Sequence, residues 1–347
     1  MTLEFIKADC LKWMREQPDG RFDLAFGSPP YADARLYLED GQDLGISRNC
    51  VQWVEWMLEV TREAHRISRG PVIWVAAAMH RDRNYWPACE GLMWEWWKLG
   101  GDHQLYRPCV FHRVGIPGSG GSDWFRADWE YVMCFKHEGE LPWSDNTACG
   151  HPPKWAPGGE MSYRNSEGTR RNQWGAKTGV QHDRNQAGEL VGRARPSHQD
   201  LSNRDRWGGT GHASSGEGRS PNGKHKTRPS KRFAHAKDGT VKGEHDRDIV
   251  AIANPGNVWN IPVGGGLMAS RLCHENEAPF PERLAEIVVR SCCPPDGLVL
   301  DPFSGSGTTA SVCRQHNRNC IGIDLRESQV ELAQRRTRDA QPRLLDT

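Results

Sequence analysis

Short apolar runs that end in a polar residue and a turn recur towards both ends of the chain, at residues 5–9, 22–28, 72–78, 298–301 and 320–324. Runs of that length without strict alternation are typical of strands buried on both faces, as in a parallel sheet. Helical periodicity lies between them. In residues 50–66, Val51, Val54, Leu58 and His65 fall on related faces, and in 281–292 Leu284, Ile287 and Val288 do the same. Strand, helix, strand in succession predicts a doubly wound α/β fold. Two further strand-like runs, 105–113 and 129–136, flank a glycine-rich loop at 115–121 and predict an antiparallel hairpin. The expected sheet therefore has about seven strands, mostly parallel.

The middle of the chain breaks this pattern. From 151 to 240 the only Val, Ile or Leu residues are Val180, Leu190, Val191 and Leu201, too few to fill a core. The division expected is 1–137 and 257–347 as two parts of one domain, with 138–256 as a polar, irregular insert. Charge gives the insert a candidate role. The whole chain is nearly balanced, with 45 basic and 44 acidic residues among 347, so any nucleic-acid footprint must be local. Residues 218–237 hold Arg219, Lys224, Lys226, Arg228, Lys231, Arg232 and Lys237 and no acid. Trp155, Trp174, Trp207 and Phe233 are interleaved with Arg, Asn and Gln, a mixture suited to stacking on bases and bonding their edges. Lys224, Lys226, Arg228, Lys231 and Arg232 are the candidate DNA contacts; the alternative is a solvated low-complexity insert without a specific partner.

Other features narrow the class. The eleven cysteines are scattered with no C-x-x-C, which suggests neither a disulfide framework nor a zinc knuckle and fits a reducing cytoplasm. No signal peptide opens the sequence and no apolar run approaches the roughly 20 residues needed to span a bilayer, so no membrane partner is expected. Trp13, Trp53, Trp56, Trp94, Trp96 and Trp97 lie in helix-like segments and are expected to serve the core.

Two motifs carry chemistry. Late in the chain, 298–301 runs into Asp301-Pro302-Phe303-Ser304-Gly305-Ser306-Gly307-Thr308-Thr309, whose glycines allow close backbone approach to a ligand. Gly305-x-Gly307-x-x-Ala310 followed by Asp324 also fits a nicotinamide-dinucleotide fingerprint. Charge separates the two readings: Asp301 would repel a pyrophosphate but attract the ammonium and sulfonium of S-adenosylmethionine. No Gly-Lys-Ser/Thr follows, so this is not a Walker loop. Asp324, closing its own strand, is placed to bond ribose hydroxyls, with a helix N-cap as its structural alternative.

Early in the chain, strand 22–28 leads into Ser28-Pro29-Pro30-Tyr31. An exocyclic base amine is a poor nucleophile because its lone pair is delocalised into the ring, and acceptors aimed at its N–H groups localise that pair. Ser28 offers a hydroxyl and Pro29 a carbonyl, while the successive prolines Pro29 and Pro30 hold the turn extended. Tyr31 supplies a face for an extruded base. The chemistry needs positioning rather than a covalent intermediate, and no metal. A surface turn or a polyproline ligand is the alternative, disfavoured by the buried strand that precedes the motif.

Lys7-Ala8-Asp9-Cys10, Ser28 to Tyr31, Trp129 to Lys136, Ala278-Pro279-Phe280-Pro281 and Asp301 to Thr309 occur in an order that resembles the β class of DNA amino-methyltransferases, over roughly two thirds of the chain. The resemblance implies a Rossmann-like methyltransferase fold and S-adenosylmethionine as cofactor. It also implies double-stranded DNA as substrate and a target-recognition region after about Lys136, with 258–262 leading back into the catalytic fold. In similar enzymes the acid at Asp9 contacts the cofactor's adenine amino group and the residue at Phe280 contributes to the cofactor site. His274-Glu275-Asn276-Glu277, ahead of Phe280, departs from the basic and small residues that relatives place there. Ser before Pro-Pro-Tyr resembles the cytosine-N4 enzymes more than the adenine-N6 enzymes. Adenine N6, a protein glutamine amide and a catalytically silent DNA-binding regulator are the alternatives. Intact glycines and acceptors argue against the last, and a glycine loop that follows the Pro-Pro-Tyr turn argues against the glutamine amide. A bacterial or phage-encoded, cytoplasmic protein acting at the nucleoid is implied, with a homodimer and a cognate restriction endonuclease left open as partners.

Overall fold

The computed structural model describes residues 1–31, 38–39, 42–43, 49–77, 79–81, 83–115, 125–153, 183–184, 190–191, 252–263 and 280–340. Met1–His151 with Asn254–Thr347 form one compact unit and Pro152–Ala253 a second. Residues 138–151, expected in the insert, pack with the first: the Asp145 amide bonds the Ser291 carbonyl and Cys149 is buried in the core.

The first unit is built on strands β1 (Leu3–Lys7), β2 (Leu24–Gly27), β3 (Val72–Ala76), β4 (Gln104–Leu105), β5 (Cys109–Val114), β6 (Trp129–Lys136), β7 (Val258–Pro262), β8 (Leu298–Asp301) and β9 (Asn319–Asp324). Their order is β1-β9-β8-β2-β3-β6-β5-β7, with β4 also paired to β6. Only β6 runs against the rest. Nine strands rather than about seven result from two causes. Pro108 has no N–H to give a ladder, which separates β4 from β5 within the expected strand 105–113. Residues 258–262, read only as a return segment, pair in parallel with β5.

Helices α1 (Cys10–Arg15), α2 (Cys50–Ile67) and α3 (Ala88–Leu99) cover one face of the sheet. Helices α4 (Glu282–Cys292) and α5 (Thr308–Gln315) cover the other, and α6 (Glu327–Asp339) packs on α5 and β1. Alternation sets the faces: Ala25, Trp74 and Leu300 point to the first layer, Phe26, Ile73 and Val299 to the second. α4 buries Leu284, Ile287 and Val288 as its period predicts. In α2 the buried face is Trp53, Met57, Val60, Ala64 and His65, whereas Val51 is 65% exposed. The larger aromatic and thioether side chains remove more apolar surface from water, and they set the face. Trp53 and Trp96 are core residues and Trp13 and Trp56 flank the core, but Trp94 and Trp97 stack on each other at the surface. Among the described residues no helix is long and apolar enough to cross a membrane.

Candidate active site

Because β1, β9, β8 and β2 are consecutive and parallel, their carboxyl ends bring Asp9, Asp324, Asp301 and Ser28 to one rim in that order. Open α/β sheets bind ligands at such a rim. The two ends of the chain meet here. A Cβ placed on Gly27 would lie 2.6 Å from Asp301 Oδ1 and 3.5 Å from the Phe303 ring, so only glycine lets the Ser28 turn sit against the Asp301 loop.

The loop after β8 is held from three sides. Its Ser304 amide bonds the Ile323 carbonyl at 2.8 Å, and its Gly305 amide bonds Asp324 Oδ2 at 3.0 Å. Gly307, at φ +77, starts α5 in the left-handed region, and a Cβ there would meet the Ala333 Cβ at 2.8 Å. From beneath, the buried Arg336 donates to Ser306 Oγ and Thr308 Oγ1, each at 2.9 Å, and to Glu282 Oε1 at 2.8 Å. Glu282 in turn accepts from Ser311 and Gln315. Pro302 is buried within the loop, and the Phe303 ring packs edge-on to Trp56 and Trp74.

The acids differ in what holds them. Asp301 is 1% exposed; Oδ1 accepts the Phe303 amide at 3.0 Å and Oδ2 makes no well-formed hydrogen bond among the described residues. Burial, aided by the charge of Asp324, outweighs the Thr309 hydroxyl and the Phe303 amide and raises its carboxyl to about 7. Burial also raises Asp324, against the pull of Arg326, whose backbone amide donates to Oδ1 at 2.9 Å. Asp324 thus clamps the loop, and the residue at the N-cap of α6 is Arg326. Asp9 is exposed and caps α1, accepting the Lys12 amide at 2.9 Å.

At the other side of the rim Pro29 is buried and Trp53 Nε1 donates to the Pro30 carbonyl at 2.6 Å, fixing the turn on α2. Tyr31 donates its hydroxyl to Glu130 Oε2 at 2.9 Å, and Arg113 approaches Glu130 Oε1 at 3.2 Å. Burial and then the Glu130 carboxylate push the Tyr31 phenol well above its ordinary value, so it stays protonated. The Ser28 side chain lies beside it and opposes that rise.

Ser28 to Tyr31, Asp301 to Thr308, Asp324 and Asp9 are therefore brought to one rim. Phe280 is half-buried and packs edge-on to Phe26 at 5.7 Å on the α4 face. Lys224, Lys226, Arg228, Lys231 and Arg232 lie outside the described residues. Glu130, Arg113, Glu282 and Arg336 were not singled out from sequence. Glu130 had a signal, a carboxylate inside an otherwise apolar strand, and so did Arg336, a cation in line with Val330 and Ala333 of α6.

A doubly wound sheet with a glycine loop and acids at the carboxyl ends of its strands is a Rossmann-like methyltransferase fold. Solved structures share it. The match to TTHA0409, described as a putative DNA modification methylase from Thermus thermophilus complexed with S-adenosyl-L-methionine, has a TM-score of 0.50 at 17% identity and covers 98% of this chain and 95% of that one. The PvuII DNA methyltransferase, described as cytosine-N4-specific, gives 0.56 at 15%, covering 96% and 87%. Residues 22–335 match the family model of N6/N4 DNA methylases, and the chain belongs to that family. Among curated relatives, the type II methyltransferase M.ScaI of Streptomyces caespitosus is 39% identical over 82 residues, 23% of this chain and 27% of that protein. M.SmaI of Serratia marcescens is 41% identical over 86 residues, 24% and 26%. The matched stretches span about a quarter of the length of these relatives.

Proposed function

We propose that the protein is an S-adenosylmethionine-dependent methyltransferase acting on double-stranded DNA, with cytosine N4 as the accepting amine. The observation that carries this reading is the contact of Gly27 with Asp301, which sets the Ser-Pro-Pro-Tyr turn against the glycine loop. The residues fit the cofactor. The Oδ2 of Asp301, which makes no well-formed hydrogen bond among the described residues, is a buried acceptor for an ammonium, and the run from Asp9 to Ser28 crosses three strand spacings, about 14 Å. Asp324 and Asp9 would hold the ribose and adenine ends, and Pro302 to Thr308 would wall the methionine end, with Phe280 flanking from the α4 face. When bound, S-adenosylmethionine supplies an electrophilic methyl group on sulfonium.

The chain's own part is to present the amine. Tyr31, locked by Glu130 and Arg113, offers its ring to a flipped base, and its protonated phenol is a spacer rather than a base catalyst. Ser28 Oγ and the Pro29 carbonyl accept from the amine and localise its lone pair. These acceptors would hold the amine in line with the donated methyl group and relay its proton to solvent. Serine rather than an acid before Pro-Pro-Tyr favours cytosine over adenine. Residues 138–256, with the cations Lys224, Lys226, Arg228, Lys231 and Arg232, would read the DNA. Long-read sequencing of DNA from cells expressing the protein tests the assignment. Modified cytosines at one short sequence are expected; modified adenines would move the amine to N6, and an unmodified genome would favour the silent DNA-binding regulator.

A further inference from the structure

A second cluster of titratable groups lies at the end of the sheet opposite the acidic rim. His65 is in the last turn of α2, Asp102 follows α3, and His137 follows β6, whose reversed direction carries its carboxyl end to the amino ends of its neighbours. Each offers one ligand atom, and the three atoms lie within 4.8 Å of one another.

The far sides of His137 and Asp102 are already engaged. His137 Nε2 donates to the Ser68 carbonyl at 2.7 Å, which leaves Nδ1 facing Asp102 Oδ2 at 2.6 Å. Asp102 Oδ1 accepts the Glu138 amide at 2.8 Å, so Oδ2 points inward. A backbone carbonyl on the distal nitrogen is how proteins orient metal-ligating imidazoles.

Without a further partner the cluster is incomplete. The His65 side chain is 6% exposed, and its Nε2 stands 3.8 Å from Asp102 Oδ2, beyond hydrogen-bond reach. Its Nε2 is buried and makes no hydrogen bond among the described residues. A buried polar nitrogen left unsatisfied is costly.

We propose that His65 Nε2, Asp102 Oδ2 and His137 Nδ1 form a structural site for a divalent transition metal of the zinc class. Two imidazoles and a carboxylate match the ligand preferences of such ions, and the Asp102 side chain, 52% exposed, leaves a fourth position to water. Metal entry breaks the hydrogen bond between His137 and Asp102 and releases any proton on Nδ1 to solvent. The ion ties the end of α2, the turn after α3 and the end of β6 together, away from the methyl-transfer rim.

The test uses the full chain, freed of any purification tag and stripped with EDTA. One equivalent of Co²⁺ should give the visible d–d bands of a four- or five-coordinate nitrogen and oxygen site, bleached by Zn²⁺. Saturating Zn²⁺ should raise the thermal midpoint by about 5 °C. Asp102→Asn, at a half-exposed position, should lose both responses, as should His137→Gln, while each keeps the wild-type S-adenosylmethionine affinity as a sign of intact folding. A wild-type protein with neither bands nor shift overturns the proposal. So does undiminished binding by the Asp102→Asn/His137→Gln pair, which would assign the metal to other histidines or cysteines.

Discussion

At the scale of single residues, Asp301 carries the clearest electrostatic signature. Between the ordinary value of 3.8 and about 7 the folded state keeps a proton that the unfolded state has lost. Stability contributed by this group therefore falls as pH rises through that window, by up to about 1.4 kcal/mol per unit. Asp301→Asn should remove this dependence, so that its thermal midpoint gains on the wild type between pH 5 and pH 8; equal gains at both pH values would place the carboxyl elsewhere on the scale. Because an ammonium favours the ionised form, cofactor affinity of the wild type should rise over the same range. Tyr31 separates binding from transfer. Tyr31→Ala should abolish methyl transfer with cofactor affinity intact, and Tyr31→Phe, which keeps the ring but removes its bond to Glu130, should cost about tenfold in kcat/KM. Loss of cofactor affinity in Tyr31→Ala would mean the base pocket is misplaced. The motif residues were legible in the sequence because glycine, proline and aspartate at strand ends have few other uses. Arg113 was not, and Glu130 showed only as a carboxylate within a largely apolar strand, since a long-range bond from residue 31 to residue 130 leaves no local period.

At the scale of elements, the glycine loop owes its shape to what lies under it. Arg336 and Glu282 form a buried ion pair between α6 and the start of α4, with Ser306 and Thr308 as further acceptors. Removing one member of such a pair strands the other charge, so Arg336→Met should lower unfolding stability by about 3 kcal/mol. A Glu282→Met/Arg336→Met double variant should recover much of that loss in denaturant titration. If the double variant loses the sum of the Arg336→Met and Glu282→Met losses, the two residues act independently. Parallel strands flanked by helices were readable because runs of apolar residues ending in a polar one have a strong local signature. The pairing of β7 with β5 was not, because pairing between distant segments is decided by tertiary packing. The buried face of α2 shows the same limit: Val51 keeps the period but loses to Trp53 and Met57 on bulk.

At the scale of the whole molecule, the chain is a Rossmann-like methyltransferase fold whose sequence is interrupted by a long polar segment, and the proposed partner acts through that segment's charge. Neutralising Lys224, Lys226, Lys231 and Arg232 together should weaken DNA binding and flatten the dependence of log affinity on log salt by about 0.9 for each phosphate that the variant no longer neutralises. An unchanged slope would remove this stretch from the interface. The central claim is that an amine acceptor and a methyl donor share one rim made by both ends of the chain. Its most direct test is mass spectrometry of nucleosides from double-stranded DNA incubated with purified protein and S-adenosylmethionine carrying a CD3 methyl group. The account predicts CD3-labelled N4-methylcytosine with the label retained whole; DNA that carries no labelled base, from protein that binds the cofactor, would contradict it.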